Sequence, residues 1–236
     1  QRAYDQVIHD VCLQNLPVIF CLDRAGFAGA DGATHHGNYD IAYMRCVPNL
    51  VVAAPMNEKA LRDMMFTFQE ELKSPYCIRY PRGKGNMVDW RTPFEKMEVG
   101  KAEVIREGED VVVLSFGHVG NYVNKAISFL KDDSINVGHV DMRFVKPLDK
   151  DMIDEVVKKY KNIITLEDGS LMGGFGSAVL EYMADSGYTN RVVRLGIPDE
   201  VIEHGEQMEL HRFCGYDPEG IARTIEKVLT PVVEKN

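Results

Sequence analysis

Between residues 23 and 37 the chain reads DRAGFAGADGATHHG, a stretch dense in groups that bind anions and exchange protons. Asp23, Arg24, Asp31, His35 and His36 put carboxylates, a guanidinium and imidazoles into one short segment. A guanidinium is a planar fork that matches phosphate or carboxylate oxygens two at a time. Imidazole is the side chain that gains and loses a proton near neutral pH. Four glycines, Gly26, Gly29, Gly32 and Gly37, permit positive φ and close backbone approach to a ligand. A solvated, glycine-rich turn would have a similar composition, so the position of the segment in the fold decides between the two readings.

That position is set by the run PVIFCL at residues 17–22, which has the length and composition of a strand buried on both faces of a parallel sheet. The loop therefore leaves the carboxyl end of a strand, the edge at which open α/β sheets bind ligands. Ahead of it, Tyr4, Val7, Ile8, Val11 and Cys12 recur at helical spacing, which predicts an amphipathic helix over 3–14 with Arg2 at its first turn. A short helix is expected over 39–45 and a second buried strand over 50–54, ended by Pro55. Asn57 then caps a helix whose apolar positions are Leu61, Met64, Met65, Phe68 and Leu72. Tyr76 to Tyr80 forms a third strand, and Arg82 follows its carboxyl end. Parallel strands would bring Arg82 to the edge that carries Arg24.

Residues 86–96, with Pro93 and the single tryptophan Trp90, break the alternation and read as a linker. A second series follows, with strands expected over 111–116, 137–142, 162–166 and 192–195. Helices are expected over about 119–131, 149–159 with Asp149 as cap, and 217–228. The predicted fold class is α/β, two domains with mostly parallel sheets flanked by helices. Gly173 to Gly176 (GGFG) opens a further helix and resembles part of a nucleotide-binding glycine loop, but close helix-to-sheet packing accounts for it better. Glu167 and His204 receive no role.

Length and composition bound the function classes. With 236 residues and 45% hydrophobic content, the chain can bury one large or two ordinary cores. A net charge of −9 argues against nucleic acid as a partner, and no lysine or arginine run suggests an anionic membrane. An anionic substrate would need a local arginine cluster. Five cysteines without a C-x-x-C pair read as reduced thiols packed as small hydrophobes, which suits the cytoplasm. No apolar stretch has the length of a membrane span, and no signal peptide precedes the first helix. Because the chain opens on Gln1 inside a helix, it is expected to be a piece of a longer protein.

Taken together, several stretches resemble the 1-deoxy-D-xylulose-5-phosphate synthase family, thiamine diphosphate enzymes of the transketolase superfamily. They are QRAYDQVIHD at 1–10, DRAG at 23–26, GADG followed by Thr34 and His35, Tyr43 to Pro48, RYPRG at 79–83, Ile197 to Asp199 and IEHG at 202–205. The resemblance implies a rear part of the pyrimidine-binding domain over 1–85 and the transketolase C-terminal domain over 97–236. Most ligands of thiamine diphosphate and Mg2+ are then expected upstream of this chain, which alone should be inactive. In such enzymes pyruvate is decarboxylated and the two-carbon unit joins D-glyceraldehyde 3-phosphate, giving a precursor of isoprenoids, thiamine and pyridoxal. By the same resemblance, Arg24 and Arg82 contact the substrate phosphate, His35 acts near the reacting carbonyls, Asp31 orients donors and Arg2 lies beside the cofactor. Only His35 of the histidine pair falls on the family position, which leaves His36 structural. A homodimer is expected. Alternatives are transketolase itself, the beta subunit of a keto-acid dehydrogenase, or a non-catalytic dimerisation or binding module.

Overall fold

The computed structural model describes residues 1–71, 73–132 and 134–230, so Leu72, expected on a helix face, lies outside the described residues. Two sheets organise these residues. The first has strand order β1-β3-β2-β7, formed by Ile19–Leu22 (β1), Val51–Ala53 (β2), Tyr76–Arg79 (β3) and Phe144–Lys146 (β7). The second has order β4-β6-β5-β8-β9, formed by Glu103–Arg106 (β4), Val111–Phe116 (β5), Val137–Asp141 (β6), Asn162–Ser170 (β8) and Arg191–Ile197 (β9).

In the first sheet β3 runs parallel to both β1 and β2, with Leu22 opposite Arg79. The carboxyl ends of β1 and β3 are therefore neighbours. β1 is an edge strand, which leaves Cys21 exposed and its other residues half-buried, in contrast to the two-sided burial expected from its apolar run. Each sheet also ends in an antiparallel pair, β2 with β7 and β4 with β6, that the sequence pattern does not predict. β4 is largely exposed and β7 has only three residues, so neither carries the continuous apolar signature of a parallel strand. β7 comes from the second half of the chain and completes the sheet of the first.

The helices follow their caps. Asn57 accepts from the Ala60 N–H at 2.9 Å to start α3 (Glu58–Glu70), and Asp149 accepts from the Met152 N–H at 3.2 Å to start α5 (Lys150–Lys159). Asp217 caps α8 (Pro218–Leu229), with Pro218 in the first turn, where its missing N–H costs nothing. The remaining helices are Tyr4–Gln6 (α1), Asp40–Arg45 (α2), Asn121–Ile127 (α4), Phe175–Asp185 (α6) and Gln207–Phe213 (α7). α1 continues as a π-helical stretch over Val7–Cys12, and α7 lies where no helix was expected.

The halves share one core. Ile41, Met44, Val47 and Leu50 from the first half pack in a single cluster with Val112, Phe116, Met142, Ile153 and Phe175 from the second. Each such side chain contributes about 1.5–3 kcal/mol by leaving water. The stretch 86–96 has no regular structure but is tied to α3, because the Arg62 guanidinium donates to the Trp90, Thr92 and Pro93 carbonyls. Cys12 and Cys77 are buried as expected, whereas Cys21 and Cys46 are exposed.

Candidate functional site

The loop after β1 is held at its neck. Gly26 and Gly37 exchange backbone hydrogen bonds at 3.0 and 2.8 Å, which closes residues 27–36 into a compact excursion. The Ala25 N–H also donates to the Tyr80 carbonyl at 3.0 Å, fastening the loop to the end of β3. Gly26 has φ +71°, and a methyl group there would overlap the Asp168 carboxylate, so this position requires glycine twice over.

This construction places Arg24 beside Arg82. Asp31 Oδ2 accepts from Arg24 Nε at 3.3 Å and is paired with Arg82 Nη1, while Arg24 Nη1 also meets Asp23 Oδ2 at 2.6 Å. The hydrogen bond from Arg82, followed by that from Arg24, holds the Asp31 carboxyl below its usual range. All three side chains are accessible to solvent. Arg24 adopts φ +58°, a left-handed backbone that costs an ordinary residue about 1–2 kcal/mol. Such strain persists where the surroundings over-determine it, and it clusters at functional sites.

The other expected residues lie apart. His35 is exposed, with Nδ1 3.0 Å from the Thr34 hydroxyl. Arg2 is exposed at the start of the chain, and no described hydrogen bond or ion pair joins it to Arg24, Asp31 or Arg82. His36 is buried, with Nδ1 accepting from the Ala28 N–H at 2.9 Å and Nε2 3.3 Å from the Glu203 carbonyl. It therefore ties the loop to the second half as a neutral, fully bonded imidazole.

Sequence reasoning passed over the second half's contribution. Gln207, at the start of α7, donates to the Phe27 carbonyl at 2.6 Å and the Arg82 carbonyl at 3.0 Å, tethering both arginine-bearing segments. A cleft of about 430 Å³ runs beside it and is lined by Asn57, Tyr80, Arg82, Lys84, His118 and Tyr122 among others. Phe27 is fully buried and stacks on Tyr216, with centroids 6.4 Å apart. No sequence signal marks Gln207, since a lone glutamine in a polar stretch is unremarkable. Phe27, an aromatic residue inside a glycine-rich loop, was the available hint.

Behind the loop sits a buried polar cluster. Asp168 is fully buried at the end of β8, with Oδ2 3.2 Å from His118 Nε2 and 3.3 Å from His211 Nε2. Its Oδ1 accepts from the Tyr216 hydroxyl at 2.9 Å, and its carbonyl accepts from Arg79 Nη2 at 2.9 Å. The His211 and His118 contacts keep Asp168 ionised well below the normal carboxylate range in spite of burial. Arg79 also pairs with Asp40 at 3.0 Å. The neighbouring Glu167 accepts from the Phe175 and Gly176 N–H groups at 2.7 and 2.8 Å, and burial pushes its carboxyl up to about 7. The amino terminus of α6, which follows the GGFG run, is thus occupied by a side chain of the protein itself.

The donor set does not suit a magnesium–diphosphate group. Magnesium takes oxygen ligands in an octahedral shell. Among the described residues, the one grouping of potential metal ligands is His118, Asp168 and His211, which supplies two imidazoles.

Comparison with known proteins identifies what the chain is similar to. "Transketolase, C-terminal domain" matches residues 100–221, and "Transketolase, pyrimidine binding domain" matches residues 1–87. A 1-deoxy-D-xylulose-5-phosphate synthase of Cytophaga hutchinsonii is 62% identical over 97% of the chain and 36% of that protein. Those of Parabacteroides distasonis and Aquifex aeolicus are 53% and 48% identical, over 96% and 97% of the chain and 36% of each relative. The chain thus spans about a third of the length of these relatives. Among solved structures, a split gene transketolase described as an inactive beta4 tetramer superposes with a TM-score of 0.85 at 27% identity, covering 97% of this chain and 72% of that one.

Proposed function

The chain belongs to the transketolase family, and from that premise we propose that it is the carboxyl-terminal part of a 1-deoxy-D-xylulose-5-phosphate synthase in which it binds the phosphate of the acceptor aldehyde. The observation that carries this reading is Asp31, which draws Arg24 and Arg82 together from the neighbouring ends of β1 and β3. Two guanidiniums on one carboxylate oxygen mark an anion site. A substrate phosphate, with more oxygens and more charge than a carboxylate, competes for both forks. D-glyceraldehyde 3-phosphate supplies such a group, and pyruvate is the other substrate of this reading.

Within this chain, Arg24 and Arg82 hold the phosphate and Asp31 sets their separation. His35, exposed on the same loop, exchanges a proton with the substrate, and Arg2 belongs beside the cofactor. Most ligands of thiamine diphosphate and Mg2+ belong, on this reading, to the part of the parent protein outside this chain. The chain divides for this purpose into residues 1–85, a connector over 86–96 and residues 97–236. Its place is the cytoplasm, its assembly a homodimer.

The test is steady-state kinetics of the parent synthase with Arg24→Ala and Arg82→Ala. Each is expected to raise the KM for glyceraldehyde 3-phosphate by about 10- to 100-fold, as loss of a charge-assisted hydrogen bond of roughly 1.5–3 kcal/mol predicts. The KM for pyruvate should change little. Unchanged aldehyde kinetics would overturn the assignment. A second reading, an assembly module without activity of its own, draws support from the inactive tetramer of the structural relative. Turnover by the 236-residue chain alone would exclude it.

A further inference from the structure

The cluster behind the glycine loop brings two imidazoles and a carboxylate within 4.8 Å of one another. We propose that His118, Asp168 and His211 form a site for a divalent first-row transition metal, with zinc or cobalt as the natural occupant. His118 stands just before α4, Asp168 in β8 and His211 in α7, so the fold gathers the three from separate segments. Their ligand atoms lie within 4.8 Å of one another, and the two edges that meet at Asp168 Oδ2 are 3.2 and 3.3 Å. A tetrahedral ion with bonds of about 2.0–2.2 Å has ligand-to-ligand edges of about 3.3–3.5 Å. The two edges at Asp168 Oδ2 therefore match those of a tetrahedral ion.

The donor chemistry selects the ion. Two imidazoles and one carboxylate suit zinc, cobalt or nickel, whereas magnesium and calcium prefer oxygen alone. A supporting shell is also present. The Tyr122 hydroxyl lies 3.0 Å from His211 Nδ1, and the Tyr216 hydroxyl donates to Asp168 Oδ1 at 2.9 Å. Such outer contacts fix the ring orientation and tautomer of metal-bound histidines. With a metal on Nε2, His211 carries its proton on Nδ1 and donates to the Tyr122 oxygen.

His118 is the most accessible of the three ligands and lines the cleft that also reaches Arg82, so ions and a fourth ligand, water or an anion, can enter from there. This site is independent of the proposed synthase activity.

The test uses the tag-free full chain, stripped with a chelator and titrated with Co2+, read by visible absorption and equilibrium dialysis. One equivalent with the intense bands of a tetrahedral ion, displaced by Zn2+, is the expected result. His118→Ala should weaken binding by more than about tenfold, and Tyr122→Phe, which keeps every ligand, by about tenfold. His9→Ala, at an exposed histidine of the first helical segment, should change nothing. No binding to the wild-type chain, or binding that His118→Ala leaves intact, would overturn the proposal. Should His118→Ala fail to fold, Tyr122→Phe decides, and unchanged affinity there counts against the site.

Discussion

Arg79 and Arg82 stand three residues apart at the end of one strand and occupy opposite environments. The Arg79 side chain is 2% exposed, pairs with Asp40 and reaches the carbonyls of Gly37 and Asp168. Arg82 is 49% exposed and shares Asp31 with Arg24. The first is a structural cation that joins the glycine loop, α2 and β8. The second is a half-exposed cation, paired with Asp31, that the same framework presents to solvent. The end of the strand makes this division possible, because β3 is buried along its whole length, Arg79 included, while the turn that follows is open.

The sharpest way to break the comparison is to remove each guanidinium in turn. Arg79→Met is expected to cost about 3–5 kcal/mol, since it leaves Asp40 buried without its partner. Arg82→Met should leave the urea midpoint nearly unchanged while weakening phosphate binding. Equal losses of stability would show that both arginines are structural.

The two regions also differed in how far the sequence disclosed them. The approach of Arg24 and Arg82 was legible because each follows a recognisable strand, so parallel pairing predicts it, whereas Asp31 stood out from the loop's other charged residues only through the family resemblance. The buried strands β5, β6 and β8 were legible for a related reason, as short stretches bearing valine, isoleucine or leucine. By contrast, the partners of Asp168 come from positions 26, 79, 118, 211 and 216, and no local spacing relates them. Single histidines at 118 and 211 carry no periodic signal. β4 and β7 were hidden because an exposed edge strand and a three-residue strand lack the pattern of a buried one. Gln207 was hidden because its role depends wholly on the packing of α7 against the loop.

A smaller effect separates the regions by pH. Burial raises the folded-state pKa of Glu167 to about 7 from an ordinary value of 4.5. The folded protein therefore binds this proton more tightly than the unfolded chain. The resulting stability is complete below about pH 4.5 and is lost as pH rises through 7. Between pH 6 and 8 the loss amounts to about 1.4 kcal/mol. Asp141, raised to about 7 by burial, acts in the same direction, whereas His139, lowered to about 4, opposes both as pH climbs towards 6.5. The informative quantity is thus the difference between wild type and Glu167→Gln. Urea unfolding at pH 6 and pH 8 should show a smaller decline in the variant, and identical declines would mean that Glu167 does not titrate in this window.

The smallest expected effect tests the exposed region. Asp31 lies between two guanidiniums whose forks a phosphate would need, so in the free protein it both spaces them and competes with the ligand. Asp31→Asn keeps the shape and removes one negative charge, which makes the cluster more attractive to an anion. Inorganic phosphate, followed by calorimetry, should therefore bind several-fold more tightly to the variant. In the parent synthase, sugar-phosphate formation should nevertheless fall, because the two arginines are no longer held at a fixed separation. The lowered pKa of Asp31 gives an independent check. Its pairing is present above the ordinary carboxylate range and disappears as pH falls through the folded-state value, so the wild type should approach the variant's phosphate affinity in acid. Weaker phosphate binding by Asp31→Asn would mean that the carboxylate supports the arginines more than it competes with their ligand. The exposed cluster would then resemble the buried one, a network that fails when any member is removed.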